Sequence, residues 1–236
     1  MWPLFIGLRR TMTEPQGAEA FIAEQKRILA ENSECANSHY NLGVSYMQQE
    51  KFDDAIASFK DVIANSGRMF EAWVNLGYIY FKKGDLEKVA DANQRAIEIE
   101  PRYARGYANL GFAYLQMTRT DEAIPALEKA VELNPEMAQA WNNLANAYLQ
   151  KGDIKKALET GEKLVDLAPT FGLGHNNLAY AYYLNNEYEK AVEYMNKALE
   201  LGFEVHPEFL EKLESHRNSP NAAGKQGLDN STIPGK

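Results

Sequence analysis

The sequence predicts an all-α fold built by repetition, and three observations carry this. The segments HYNLGVSY, WVNLGYIY, YANLGFAY, WNNLANAY and HNNLAYAY begin at His39, Trp73, Tyr107, Trp141 and His175, each 34 residues after the last. Within each unit, apolar residues recur at unit positions 4, 7, 8 and 11, the i, i+3, i+4, i+7 spacing of a helix face, and a second helical pattern centres on positions 20, 24 and 27. Breakers such as Gly84-Asp85 and Gly152-Asp153 separate the two patterns, and Pro101, Pro135 and Pro169 close three units in step.

The elements follow in chain order. Residues 1–17 are expected as a flexible leader. Its apolar run Trp2–Leu8 is too short to span a bilayer. No positive charge precedes the run and no small-x-small site follows it, so it reads poorly as a signal peptide. Met12 is an alternative initiator, and the other reading is a short sticky segment that docks onto this or another molecule. Residues 18–35, with Phe21, Ile22, Ile28 and Leu29 at helical spacing, align with the second helix of a unit and form a half repeat.

Five units then occupy 36–69, 70–103, 104–137, 138–171 and 172–205. Position 8 is small in all of them (Gly43, Gly77, Gly111, Ala145, Ala179), which lets two helix backbones approach closely. Asn93 and Gly161 depart from the large residue expected at position 24, and Gly161 in a helix costs about 1 kcal/mol relative to Ala. Residues 206–217 place Phe209, Leu210 and Leu213 on one side and are expected as a capping helix over the last unit. Residues 218–236, rich in Gly, Pro, Ser and Asn, are expected as a disordered tail; they include the formal glycosylation sequon Asn230-Ser231-Thr232.

Unit length and the order W-x2-L-G-x2-Y…A-x3-F…P closely resemble the tetratricopeptide repeat, over roughly 70% of the chain. Gly67 and Phe203 stand where that pattern has proline. The resemblance implies a right-handed α-solenoid of helix-turn-helix units whose first helices line a concave groove facing a ligand.

On that reading, unit positions 2, 6, 9 and 13, flanked by 5 and 12, form the ligand face. Position 6 is Asn in every unit: Asn41, Asn75, Asn109, Asn143 and Asn177. A carboxamide offers two donors and an acceptor and can pair with an extended peptide backbone. The column is similar to the asparagine ladder of some peptide-binding tetratricopeptide proteins, although Asn is also common there in the family. Position 9 (Val44, Tyr78, Phe112, Asn146, Tyr180) and position 12 (Met47, Phe81, Leu115, Leu149, Tyr183) carry more apolar surface than a solvated face needs. Asn142 and Asn176 add amides to the fourth and fifth units. The carboxylate clamp of chaperone adaptors, mapped onto units one to three, falls on Tyr40, Val44, Asn75, Arg105 and Asn109; only Asn75 and Arg105 match. A clamp for a chaperone tail is therefore not expected, but Arg105 can pair with one acidic group.

Charge narrows the function. The net charge is −8 with a pI near 5.2, which argues against a nucleic-acid surface. First-helix segments contain a single acid, Glu71, so the negative charge sits on second helices and turns. The one cysteine, Cys35, and four scattered histidines give no expectation of a disulfide, metal or cofactor. No P-loop, dinucleotide fingerprint or nucleophile elbow is found, and His39 and His175 at position 4 read as packing residues, so no catalytic residue is expected. The sequence thus predicts a non-enzymatic, cytoplasmic scaffold with no integral membrane span. Its expected partner is an extended or helical segment of another protein. The alternative is a self-assembling scaffold whose N-terminal segment docks on a neighbouring copy.

Overall fold

The computed structural model describes residues 15–217; the expectations for the leader through Glu14 and for the tail beyond Arg217, sequon included, lie outside them. All regular structure among the described residues is helical: α1 (Pro15–Glu31), α2 (Ala36–Gln48), α3 (Phe52–Asn65), α4 (Phe70–Lys82), α5 (Leu86–Ile99), α6 (Ala104–Gln116), α7 (Thr120–Leu133), α8 (Ala138–Lys151), α9 (Ile154–Leu167), α10 (Gly172–Leu184), α11 (Tyr188–Glu200) and α12 (Pro207–Arg217). The fold is an all-α solenoid of paired helices. The chain divides into two compact units, one ending at Asn143 and one beginning at Leu144, inside α8.

Each pair is folded by one turn. The residue at unit position 15 is left-handed in all five: Glu50 (φ 57°), Gly84 (75°), Thr118 (59°), Gly152 (78°) and Asn186 (62°). Around it the backbone closes two bonds, from the N–H of position 15 to the carbonyl of position 12 and from position 16 to position 11, as in Thr118 to Leu115 (3.0 Å) and Arg119 to Tyr114 (2.8 Å). This is the Schellman motif, which satisfies the last carbonyls of the first helix. In the second and fourth units one dipeptide serves both helices. Gly84 and Gly152 supply the left-handed residue, and Asp85 and Asp153 then cap the next helix by accepting from the N–H of Lys88 and Lys156. Lys51, Arg119 and Glu187 at the same place form no side-chain cap.

The turn lays position 8 of the first helix against position 24 of the second. A methyl group on Gly43 would lie 2.7 Å from the Phe59 ring, one on Gly77 2.9 Å from the Asn93 amide, and one on Gly111 2.5 Å from Leu127. All three of these position-24 side chains are fully buried. Gly161 leaves no void in place of its own side chain: the buried Leu178 of α10 leans in, 2.9 Å from where a Cβ would sit. At the C-terminal end, Leu213 of α12 is fully buried in a core with Leu178, Tyr182, Met195 and Val205.

Two substitutions separate these constraints. Thr118 is a β-branched residue in a left-handed conformation that disfavours it. We expect Thr118→Gly to raise stability by about 1 kcal/mol. Gly43→Ala forces a methyl into a rigid buried ring and should cost about 2 kcal/mol. Urea denaturation followed by circular dichroism reads both as opposite shifts of the midpoint.

Candidate functional site

The residues singled out in the sequence lie on first helices, and the structure sorts them by access. In the first compact unit, Asn75 is 2% exposed and donates through Nδ2 to the Tyr40 hydroxyl at 3.2 Å. Burial pushes the Tyr40 phenol up, and the Asn75 bond opposes that shift. Asn142 and Asn143 are also buried, and Asn143 accepts from Gln139 at 3.1 Å. Asn41 and Asn109 are half-buried and donate to Gln25 and Asn93, both at 3.2 Å.

These bonds follow a rule. Gln25 and Asn93 each lie 16 residues before the asparagine that they bind, at position 24 of the preceding register. Where that position is polar, the position-6 amide reaches back to it. Where it is Phe59 or Leu127, Asn75 and Asn143 turn instead to Tyr40 and Gln139. Asn93 is fully buried and satisfied at both ends, donating to the Val89 carbonyl at 2.8 Å and accepting from Asn109. Much of the asparagine column therefore joins one repeat to the next.

The aromatic positions offer more surface. Val44 and Met47 of α2 are sealed in the core. From α4 onward position 9 opens, and position 12 opens at Phe81, Leu149 and Tyr183, whereas Leu115 of α6 stays buried. Tyr78 is half-buried with the Lys82 ammonium 5.8 Å from its ring centroid, and Phe81 meets Phe112 of α6 edge-on at 5.9 Å. Arg105, in the first turn of α6, is exposed. In the second compact unit Asn146, Asn176 and Asn177 are half-buried. Tyr180 is 43% exposed; it stacks near Tyr183 and meets Phe209 of α12 edge-on at 5.5 Å.

Position 4 has a role that its apolar spacing hides. His39 Nε2, Trp141 Nε1 and His175 Nε2 each donate to a backbone carbonyl six residues earlier, on Ser33, Pro135 and Pro169, at 2.7–2.8 Å. Each ring pins the turn that enters its own helix. For His175 this fixes the proton on Nε2 and leaves Nδ1 buried without a hydrogen-bond partner. Sequence reasoning also gave no weight to a cavity of about 540 Å³ formed by α5, α6 and α7, on the Tyr107 and Tyr114 side of α6, with Pro125 at its wall. No group of three or more His, Cys, Asp or Glu side chains that could hold a metal occurs among the described residues. No helix among them is long and apolar enough to cross a membrane.

Comparison with known proteins places this geometry. Family models of the tetratricopeptide repeat match residues 40–104 and 109–170, and again 172–202. No curated protein matches. Two solved structures of MamA are 28% and 27% identical, with TM-scores of 0.65 and 0.68; the matches cover 68% and 72% of this chain and 94% and 92% of theirs. YrrB, described as a TPR protein with an unusual peptide-binding site, is 21% identical with a TM-score of 0.71, over 85% of this chain and 99% of its own. PilF of Pseudomonas aeruginosa is likewise 21% identical, with a TM-score of 0.65, over 81% of this chain and 88% of its own. At that identity the last two show the fold alone.

The link between Asn93 and Asn109 is measurable. In a double-mutant cycle with Asn93→Ala and Asn109→Ala, urea denaturation should give a coupling of about 1 kcal/mol. The same cycle on Asn93 and Asn143, which are not bonded, should be additive.

Proposed function

This chain belongs to the tetratricopeptide repeat family, and from that premise we propose that it is a non-enzymatic scaffold that takes an extended or helical segment of another protein on its first-helix faces. The family and the fold support a protein-interaction role. One observation carries the finer reading: first helices with a single acid bear half-exposed aromatic rings. Tyr78, Phe81 and Phe112 form the anchor of the first compact unit, with Arg105 and the half-buried Asn109 also on α6. A face with few charges is cheap to desolvate, and aromatic rings are good anchors for apolar side chains. Arg105 is suited to one acidic group of the ligand. In the second compact unit, Tyr180 with Asn146, Asn176 and Asn177 would take a shorter, more polar stretch.

The amides enter this reading as a minority. Asn75, Asn142 and Asn143 are buried, so they shape the surface, while Asn41, Asn109 and Asn177 retain some access.

Selection of a displayed random-peptide library on the immobilised full chain tests the proposal. Enriched peptides should carry aromatic or aliphatic side chains at recurring positions. Tyr78→Ser combined with Phe112→Ser should weaken their binding at least tenfold by calorimetry, with unchanged helix content. Undiminished affinity would remove the aromatic strip from the site. Light scattering on the same preparation tests self-association, the alternative use of these faces.

A further inference from the structure

Charge is divided unevenly between the two helices of a unit. First-helix segments hold Lys82, Lys83, Arg105 and Lys151 against the single acid Glu71, so they are net positive in a chain whose net charge is −8. Lys83 is already held by Asp53 of α3, at 2.7 Å. Lys151 lies in the second compact unit. Lys82 and Arg105 remain on the first helices of the first compact unit, at positions 13 and 2 of the ligand face. Both are exposed, and neither forms an ion pair among the described residues. The Lys82 ammonium rests 5.8 Å from the Tyr78 ring centroid, a contact that leaves its charge uncompensated.

The two cations stand at opposite corners of the aromatic strip. Phe70 at the start of α4 meets Tyr103 at the entry to α6, with centroids 5.2 Å apart, and Phe81 near the end of α4 meets Phe112 at 5.9 Å. The two helices therefore run side by side in the same direction. Arg105 sits at the start of α6 and Lys82 at the end of α4. Helical rise separates positions 2 and 13 by about 16 Å, and neighbouring axes add about 9 Å across. The diagonal is about 19 Å, roughly six residues of extended chain. Tyr78, Phe81 and Phe112 lie between its ends. The half-buried Glu71 is on the Arg105 side. Burial holds the Tyr103 phenol above its ordinary value, Arg105 draws it down and Glu71 pushes it up, so both charges stand close to that ring.

We propose that the partner of this face is an acidic stretch of another protein, bound extended, with an Asp or Glu at Arg105, a second about six residues away at Lys82, and apolar side chains between them over Tyr78, Phe81 and Phe112. The inference rests on the reading of that strip as a contact surface. The apolar side chains supply the burial, and the two cations fix register and direction, the usual part of charge at an interface. Acid-rich second helices repel such a stretch from the rest of the surface, so the charge pattern steers it to the first helices. Glu71 opposes the acid at Arg105, and no acid of the first helices opposes the one at Lys82.

A displayed random-peptide library selected on the full chain, and in parallel on the Lys82→Gln, Arg105→Gln double variant, reads this chemistry. Peptides enriched on the unmodified chain should carry Asp or Glu on both sides of their apolar residues, about six residues apart. Those enriched on the double variant should keep the apolar residues and lose the acids. Calorimetry with one enriched peptide should then show Lys82→Gln and Arg105→Gln each weakening binding about threefold and Glu71→Gln tightening it about twofold. Lys83→Gln, which removes a neighbouring lysine already paired with Asp53, should leave the affinity unchanged. Peptides without acidic residues, or equal losses from Lys82→Gln and Lys83→Gln, would overturn the acidic partner. If Tyr78→Ser with Phe112→Ser still weakened such peptides, the aromatic strip would stand without it. If that pair of substitutions left the affinity unchanged, the strip and the acidic partner would both fall.

Discussion

The left-handed residue at unit position 15 is the constraint on which the other contacts depend. One backbone conformation, closed by two hydrogen bonds, ends the first helix and starts the second at a fixed angle. That angle sets position 8 against position 24 and buries positions 20 and 27. Glycine would adopt the conformation at no steric cost, yet three units use Glu50, Thr118 and Asn186. Asn186 tolerates this conformation, but packing of the two helices holds Glu50 and Thr118 in it against their own preference.

Position 24 then determines what position 6 does. With an amide there, as at Gln25 and Asn93, the next asparagine spends a donor on holding two repeats together. With Phe59 or Leu127 there, the asparagine finds another partner on a first helix. A buried amide without a partner would cost more than its bond contributes, so identical residues must adopt different bonds in different units. The same economy appears at position 4, where a ring that looks apolar in the sequence carries the N–H that secures the entering turn.

The period and the helix pairs were legible because apolar spacing and small residues report directly on close packing. The start of α1 at Pro15 rather than Ala18 was not, since Pro15 can open a helix but also reads as a loop residue. Gly84-Asp85 and Gly152-Asp153 announce their turns; Thr118-Arg119 does not, because only the tertiary fold imposes its conformation. Among the candidate ligand residues, chemistry was readable and access was not. Asn75 and Asn109 are the same residue at the same unit position, but one is sealed and the other half-open, according to a side chain on a neighbouring helix. Gly161 looked like a weak point, and the side chain that fills its space belongs to the next repeat.

The pairing between position 24 of one unit and position 6 of the next also bears on how such a gene can grow. A duplicated stretch of 34 codons preserves the turn and the helix pairs wherever its ends fall. Because position 6 is Asn in every unit, the amide bond can re-form wherever position 24 carries a polar side chain. The fit between position 8 and position 24 is less transferable: a crossover that set Ala145 or Ala179 against Phe59 would put a methyl where the ring lies against Gly43. Recombination breakpoints in descendants of this sequence should therefore be depleted between the codons of positions 8 and 24, so that the unit inherited intact is the unit that folds.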